Sequence, residues 1–220
     1  MNKPQLVALD PPWLWAARSA RGEGRAPKYD RMSLQALKDL PVREYMADNA
    51  VALLWVTDPL LEQCMSVVQA WGLAYKTVAF YWTKNKPSGA THMGGGYYTR
   101  ANPEQCWLLT KGKGLPRVHA DVRRWINAPV GRHSEKPDEF FRRAERLFGE
   151  VVRAELFARK VRPGWTAIGN EIDGRDIRLV LGCPPDVVPV KESPLVEESD
   201  QGASFQQLSL LVRTARHRRP

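Results

Sequence analysis

The chain has 220 residues, of which 43% are apolar and 26% charged, and its formal net charge is +9. These values are typical of one globular domain. No apolar run reaches the roughly 18 residues of a membrane span, and no signal segment follows Met1 to Pro4. We therefore expect a cytoplasmic protein. The three cysteines, Cys64, Cys106 and Cys183, lie far apart without a CxxC pair, which argues against a disulfide framework and a cysteine zinc site.

A short predicted strand near the start of the chain ends in two prolines. Gln5 to Leu9 is mainly apolar, and the tetrapeptide Asp10-Pro11-Pro12-Trp13 follows directly. Prolines cannot continue a sheet ladder, so the strand should stop there. Residues 15–31 are polar and rich in glycine and arginine, which predicts a long surface loop of the kind that often carries function.

A short helix and a buried strand are predicted next. Ser33 can cap a helix from Leu34 to Leu40, and Pro41 should stop it. Ala50 to Val56 is apolar at every position. Both faces of such a strand must be buried, which is typical of a central strand in a covered parallel sheet.

A longer helix should follow this strand. Asp58 can cap it with Pro59 at the first position, and Gly72 is a typical stop after Trp71. Tyr75 to Trp82 is the next predicted strand. The order of strand, helix and strand predicts a right-handed parallel crossover.

Two long basic segments flank a further strand. We interpret Thr83 to Arg100, with its run Gly94-Gly95-Gly96, as a second surface loop. Glu104 to Leu109 is a predicted strand. Lys111 to Arg132 is basic and irregular, with a short strand predicted at Arg124 to Ile126.

The end of the folded part is predicted as a helix and two strands. Pro137 opens the helix, which runs to about Phe148 with acidic residues in its first turn. Val151 to Phe157 and Thr166 to Ile168 are the last strands, and we expect the final one to be antiparallel. Prolines and acidic residues accumulate after Leu181, so residues 1–181 are assigned to the domain and residues 182–220 to a linker and basic C-terminal tail.

The tetrapeptide carries groups that suit alkylation of an adenine amine. Ligands bind beyond the carboxyl ends of strands in open parallel sheets. The exocyclic amine is a poor nucleophile, because its lone pair is delocalised into the ring. Asp10 and the Pro11 carbonyl could accept its two hydrogens, with Pro11 and Pro12 fixing the backbone, and Trp13 could stack on an extruded base. The alternative is a plain turn, since Asp and Pro dominate turns.

Three further motifs occur in a diagnostic order after this tetrapeptide. They are Lys136-Pro137-Asp138-Glu139, Glu155-Leu156-Phe157 and Gly169-Asn170-Glu171. With Asp10 to Trp13 they resemble the MT-A70 adenine N6-methyltransferases from about Leu6 to Asp173. The resemblance implies a Rossmann-like class I methyltransferase with a mixed, mostly parallel sheet, helices on both faces and a permuted motif order.

The resemblance implies S-adenosylmethionine as the cofactor and assigns residues to it. Asp10 would lie near its methionine part, and Lys136 would pair with its carboxylate. The residues assigned to its adenosine part are Phe157, Arg159, Asn170 and Glu171. Ala158 departs from the glycine that many methyltransferases carry after this phenylalanine. No sequence cluster supports a metal, and no GxGxxG or GxxxxGK[ST] motif supports a nicotinamide or nucleoside triphosphate.

The charge excess favours a nucleic-acid partner. Acidic and basic residues cancel after Cys183, so the net charge of +9 belongs to the preceding part. Phosphate contacts by such bases release counterions. The candidate nucleic-acid residues are Lys84, Lys86, Tyr97, Tyr98, Arg100, Arg123 and Arg124.

The substrate interpretation favours DNA over RNA and leaves other classes open. The alternatives are an RNA methyltransferase, a non-catalytic nucleic-acid-binding subunit, and an amine methyltransferase for small molecules or proteins. Intact Asp10, Lys136 and Asn170 favour activity. By analogy with heterodimers in the family, a homodimer is considered, in which one subunit catalyses and the other grips the nucleic acid.

Overall fold

A mixed sheet of seven strands in the order β5-β3-β4-β2-β1-β6-β7 forms the centre of the protein. The computed structural model describes residues 2–14, 31–95, 98–131 and 135–183. The strands are β1 (Leu6–Leu9), β2 (Ala50–Val56), β3 (Ala74–Asn85), β4 (Glu104–Lys111), β5 (Trp125–Pro129), β6 (Arg153–Leu156) and β7 (Thr166–Ile168). The helices in these ranges are α1 (Leu34–Lys38), α2 (Val42–Tyr45), α3 (Leu61–Ala70), α4 (Asp138–Phe148), α5 (Asn170–Asp173) and α6 (Ile177–Val180), with a 3-10 turn at Asp58–Leu60.

The sheet is mostly parallel, with β4 as its antiparallel member among the described strands. Strand β1 pairs in parallel with both β2 and β6, so Leu9 faces Leu54 on one side and Leu156 on the other. Strands β2 and β3 run in the same direction, as predicted, but β4 lies between them and is antiparallel to both. This insertion brings Glu104, the first residue of β4, to the edge where β2 ends.

The last strand corrects one prediction. We expected β7 to be antiparallel, whereas it pairs in parallel with β6, with Leu156 opposite Ile168. An antiparallel neighbour can follow a tight hairpin, but a parallel one needs a connection that returns the chain to the starting edge. Residues 157–165 provide this return, and they include the predicted cofactor residues Phe157 and Arg159.

Helices pack on both faces of the sheet because successive strand residues point to opposite sides. Val7, Leu9 and Leu54 lie in one buried cluster with side chains of α1 to α3. Leu6, Ala8 and Trp55 lie in the other cluster with side chains of α4. Each fully buried side chain of this kind contributes about 1.5–3 kcal/mol, so both clusters stabilise the sheet.

Helix α4 packs on the sheet through a face that is rich in phenylalanine. Phe140, Phe141, Ala144 and Phe148 are buried, which places apolar residues at the helical spacing of one face. The Phe140 ring lies 5.1 Å from the Trp55 ring in an edge-to-face arrangement, measured between centroids. Such pairs add about 0.5–1.5 kcal/mol beyond area burial. The helix start is therefore fixed against β2, and Lys136 lies just before it.

Most predicted elements are present, with shifted ends. Ser33 caps α1 through its Oγ, which accepts from the amide of Ala36 at 3.1 Å. Strand β3 continues to Asn85, into the predicted loop, because it pairs with β5 as far as Pro129. The side chain of Asn102 also bonds both backbone groups of Lys84 at 2.8 and 2.9 Å. Helices α2, α5 and α6 were not predicted.

Two predicted segments lie almost entirely outside the described residues. The predicted loop is described only at residue 31, and the predicted linker and tail only at residues 182 and 183. Both remain predictions. No helix in the described ranges is long and apolar enough to cross a membrane.

Candidate active site

The candidate site lies where several elements meet at one edge of the sheet. Asp10 follows β1 directly, and β1, β2 and β6 are parallel, so their carboxyl ends share this edge. Glu104 starts antiparallel β4 at the same edge. Lys136 comes from the segment before α4. The fold thus gathers three charged residues that are far apart in sequence.

An ion cluster links these residues. The Nζ of Lys136 lies 2.9 Å from Oδ1 of Asp10 and 3.1 Å from Oε2 of Glu104. The ammonium of Lys84 also pairs with Glu104. Lys136 is 8% exposed, and its Nζ lies 5.2 Å from the centroid of the Trp55 ring. In such a buried position an unpaired charge is costly, so the cluster holds its members together.

The cluster keeps Glu104 and Lys136 charged. Burial alone would raise the pKa of Glu104, but Lys136 and Lys84 lower it to about 2. Burial alone would lower the pKa of Lys136, but Asp10 and Glu104 hold it above its usual value. Glu104 is therefore a carboxylate and Lys136 an ammonium at neutral pH.

Glu104 was missed by the sequence reasoning. Asp10 and Lys136 were selected because each belongs to a motif. Glu104 is the first residue of a strand that was predicted from its apolar residues, so its own side chain was given no role. An acidic side chain at the first position of a largely buried strand is a usable signal, because an acid there needs a partner. The structure supplies that partner in Lys136.

A second charged cluster, around Arg162, holds the backbone of Lys136 against β6. Arg162 is 8% exposed, and its guanidinium lies 3.8 Å over the Phe141 ring. It donates to Glu155 at 2.7 Å and to the carbonyl of Lys136 at 3.4 Å. Burial raises the pKa of Glu155 to about 7, although Arg162 acts in the opposite direction. Arg162 thus ties the end of β6 to the backbone that carries Lys136.

Two cavities adjoin the ion cluster. The smaller, of about 10 Å³, is bounded by Asp10, Lys136 and Glu155 among others. Such a volume has room for about one water molecule. The larger, of about 190 Å³, lies beyond the end of β2 and is lined by Asp58, Glu104 and residues of the glycine-containing loop. The larger cavity is the one with room for part of a ligand.

The end of β6 has an unusual backbone. Phe157 has φ 64°, a left-handed conformation that is strained for an aromatic residue. A Cβ on Gly169 would lie 2.3 Å from the carbonyl oxygen of Ala158, so only glycine fits there. The amide of Ala158 donates to Ile168 at 2.9 Å. Strain of this kind often marks a functional site.

The predicted adenosine residues lie near this turn. Arg159 Nε and Glu171 Oε1 are 3.9 Å apart. Asn170 and Glu171 begin α5 and are exposed. The structure therefore brings these two residues together at the carboxyl end of β6, with Asn170 next to Glu171.

The tetrapeptide is placed partly as expected. The Pro11 carbonyl accepts from the amide of Trp13 at 2.9 Å, and the Pro12 carbonyl accepts from Met32 at 2.9 Å. A carbonyl oxygen has two lone pairs, so Pro11 keeps acceptor capacity. Trp13 is 8% exposed, and its indole N–H donates to the carbonyl of Trp55 at 3.1 Å. This burial leaves little of the ring for stacking, so the conformation does not support that predicted role.

Most of the predicted nucleic-acid residues are exposed, whereas Lys84 is not. Lys84 pairs with Glu104 within the ion cluster. Tyr97 lies outside the described residues. The exposed candidates are Lys86, Tyr98, Arg100, Arg123 and Arg124. Lys111, at the start of the second basic segment, is buried and donates to the carbonyls of Arg43 and Met46 at 3.0 and 2.9 Å, so it is structural.

Other chemistries find little support in the described ranges. No group of three or more His, Cys, Asp or Glu side chains there could hold a metal ion. Cys64 and Cys106 are buried free thiols, and burial raises the pKa of Cys64 to about 12. Neither thiol is suited to act as a nucleophile at neutral pH.

Comparison with known proteins finds one family model and several relatives that are named methyltransferases. The sequence model of the MT-A70 family matches residues 4–171. The type II methyltransferase M.MunI of Mycoplasma sp is 30% identical over 196 residues, 81% of this chain and 82% of that protein. The N(6)-adenosine-methyltransferase catalytic subunit METTL3 of Homo sapiens is 30% identical over 86% of this chain but 30% of its own length. An N(6)-adenosine-methyltransferase MT-A70-like protein of Arabidopsis thaliana is 29% identical over 80% of this chain and 24% of its own length.

Proposed function

The chain belongs to the MT-A70 family of adenine methyltransferases, and on that premise we propose that it methylates the N6 amine of adenine in DNA, with S-adenosylmethionine as methyl donor. The observation that carries this proposal is the ion cluster of Asp10, Lys136 and Glu104 at the carboxyl end of β1. A non-catalytic subunit would have no need of an aspartate held in place by a buried, charged lysine.

DNA is the proposed substrate because of the relative that matches most of both chains. That relative is named a type II methyltransferase, a class that acts on DNA, and the chain covers 82% of it. RNA is the second candidate, because a relative named an N(6)-adenosine-methyltransferase has the same 30% identity. That protein is much longer, and the chain covers only 30% of it.

We propose that Asp10 and Pro11 hold the target amine. One carboxylate oxygen of Asp10 binds Lys136, and we assign the other to accept one amine hydrogen. The spare lone pair of the Pro11 carbonyl can accept the second. Accepting both hydrogens favours a tetrahedral nitrogen, whose lone pair is then available for the methyl group. The proline backbone keeps this arrangement in place before the substrate arrives.

The residues of the same edge fit S-adenosylmethionine, the donor that MT-A70 methyltransferases use. When bound, it supplies an electrophilic methyl group on a sulfonium centre. An ammonium has three donors; Lys136 uses two on Asp10 and Glu104, and we assign the third to the carboxylate of the methionine part. Asn170 and Glu171 can bond the two ribose hydroxyls. Phe157 and Arg159 would lie beside the adenosine.

This assignment corresponds to a Rossmann-like class I fold in permuted order. The tetrapeptide follows the first strand, and the proposed cofactor turn follows β6, late in the chain. Strands β1 and β6 are neighbours in the sheet, so both ends of the proposed site lie side by side. A homodimer remains a prediction from the resemblance alone.

The proposed function is tested by direct product analysis. The full chain would be incubated with S-adenosylmethionine and with single-stranded DNA, duplex DNA or RNA, followed by digestion and mass spectrometry. We expect N6-methyladenine in DNA, and none in matched strands that lack adenine. Methylation of RNA alone would replace the first candidate with the second. Absence of product on all three substrates would overturn the proposal for this chain acting by itself.

The exposed pair Arg123 and Arg124 offers a separate test of nucleic-acid contact. Changing both to glutamine should weaken DNA binding and reduce the magnitude of the slope of log K against log salt by about 1–2, since each phosphate contact contributes about 0.7–0.9. Fluorescence anisotropy at several salt concentrations measures this slope. Arg175→Gln together with Arg142→Gln is the matched control, because both are exposed and lie outside the two basic segments. An unchanged slope in the Arg123 and Arg124 variant would remove these residues from the interface.

A further inference from the structure

An exposed tryptophan lies on the strand at one edge of the sheet. Along β5, Trp125, Asn127 and Pro129 are exposed, whereas Ile126 and Ala128 between them are buried under α4. Trp125 is 66% exposed, which is unusual for so large an apolar ring. One side of β5 therefore belongs to the core, and the other side presents an aromatic ring to solvent.

A second aromatic ring lies beside it. Tyr81 of β3 is the register partner of Trp125 and is 39% exposed. Register partners on neighbouring strands point to the same face. We call this face, formed by Tyr81, Thr83, Asn85, Trp125 and Asn127, the aromatic platform. None of these five residues is acidic.

Trp125 is fixed in its position. Its indole N–H donates to Oγ1 of Thr83 at 2.7 Å, so the polar atom of the side chain is satisfied within the protein. Its backbone carbonyl accepts from Arg143 of α4 at 2.7 Å, and Arg143 is paired with Glu139 at 2.5 Å. The ring is held from two sides while its surface stays exposed, which is the arrangement of a preorganised contact residue.

The platform has a basic end, and its other end lies at the sheet edge that carries the candidate active site. Arg123 and Arg124 directly precede Trp125, and both are exposed. At the other end, Asn85 and Asn127 are joined by a hydrogen bond of 2.7 Å. Lys84, between platform residues Thr83 and Asn85, points to the opposite face of the sheet, where it pairs with Glu104 of the ion cluster. With a rise of about 3.3 Å per residue, Tyr81 lies roughly 10 Å along β3 from Lys84.

We propose that the aromatic platform stacks unpaired bases that flank the target adenine, so that the preferred substrate is single-stranded or locally opened nucleic acid. This inference rests on the proposed function. Aromatic side chains beside arginines bind single strands through base faces and phosphates together. Bases within a duplex already stack on each other, so they offer no free face to Trp125.

The test compares variants that separate ring stacking from apolar area. Trp125→Leu keeps an apolar side chain without a ring, and Trp125→Phe keeps a ring without the hydrogen bond to Thr83. Binding of a labelled oligothymidine strand would be followed by anisotropy, next to an abasic strand of the same length. Leu179→Ala, at a position that is 61% exposed, is the control for loss of exposed apolar surface, and thermal melting verifies folding.

We expect Trp125→Leu to weaken binding of the thymidine strand by about 10-fold, with Trp125→Phe close to wild type, because stacking tolerates any ring. The abasic strand should bind wild type and Trp125→Leu alike. Equal loss on both strands, or no loss in Trp125→Leu, would overturn the platform. A fall in mass by light scattering in Trp125→Leu would instead identify the face as a contact between copies and also overturn it.

The two proposals can fail separately. If wild type methylates adenine but Trp125→Leu binds the thymidine strand normally, the proposed function stands and the platform is wrong. If wild type methylates nothing but its binding depends on the ring at position 125, the platform stands and the proposed function is wrong.

Discussion

Asp10→Asn is expected to lower kcat for adenine methylation by about 10²- to 10³-fold, the range for loss of one preorganised polar group at a reacting centre. In the proposed function the two oxygens of Asp10 make two contacts: one accepts from Lys136 at 2.9 Å, and the other accepts from the target amine. Asparagine has one carbonyl oxygen and one NH₂ group. Whichever way the amide turns, a donor meets either the Lys136 ammonium or the amine.

The measurement is single-turnover methylation with saturating S-adenosylmethionine, together with cofactor affinity by calorimetry. Cofactor binding should change much less than kcat, because Lys136 and the residues after β6 are intact. Asp48→Asn is the matched control, since the Asp48 side chain is 99% exposed and lies away from the site, 3.6 Å from Lys111. Full activity in Asp10→Asn would remove Asp10 from the acceptor site.

The parts of the fold that follow from local patterns were predicted well. Ala50–Val56 is apolar at every position, and it is the fully buried strand β2. Ser33 and Pro41 bound a helix because capping and proline sterics act within a few residues. The direction of β7 was wrong, because strand direction depends on how the intervening turn packs and not on the residues of the strand itself.

The site shows the same division between local and long-range information. Asp10 and Lys136 could be selected from motifs, but their contact at 2.9 Å depends on how the segment before α4 packs against the end of β1. The role of Glu104 depends on β4 lying between β2 and β3. Trp13 was predicted to stack on the base because an aromatic ring after the prolines suits an extruded base, and this role stays a prediction. Its burial results from contacts with Trp55 and Met32, which are remote in sequence.

Lys136→Met is expected to lower the free energy of unfolding by about 3–5 kcal/mol near neutral pH, the usual cost of breaking a buried ion pair by removing one partner. Methionine fills a similar volume beside Trp55 but leaves Asp10 and part of Glu104 without a counter-charge. Urea denaturation measures the change. Lys86→Met is the matched control, because Lys86 is exposed, and it should alter stability by less than about 0.5 kcal/mol.

The pH dependence distinguishes lost charge from lost packing. In wild type the pKa of Glu104 is about 2, below the ordinary value of 4.5, so its pairing stabilises the fold above about pH 4.5 and this contribution fades as the pH falls toward 2. Without Lys136 the pKa of Glu104 should rise. Protonation of Glu104 then removes a charge that has lost its partner, which reduces the loss of stability in the variant. The stability gap between wild type and Lys136→Met should therefore narrow between about pH 4.5 and about pH 2. A gap that stays constant over this range would mean that Lys136 contributes through its contact with Trp55 and not through its charge.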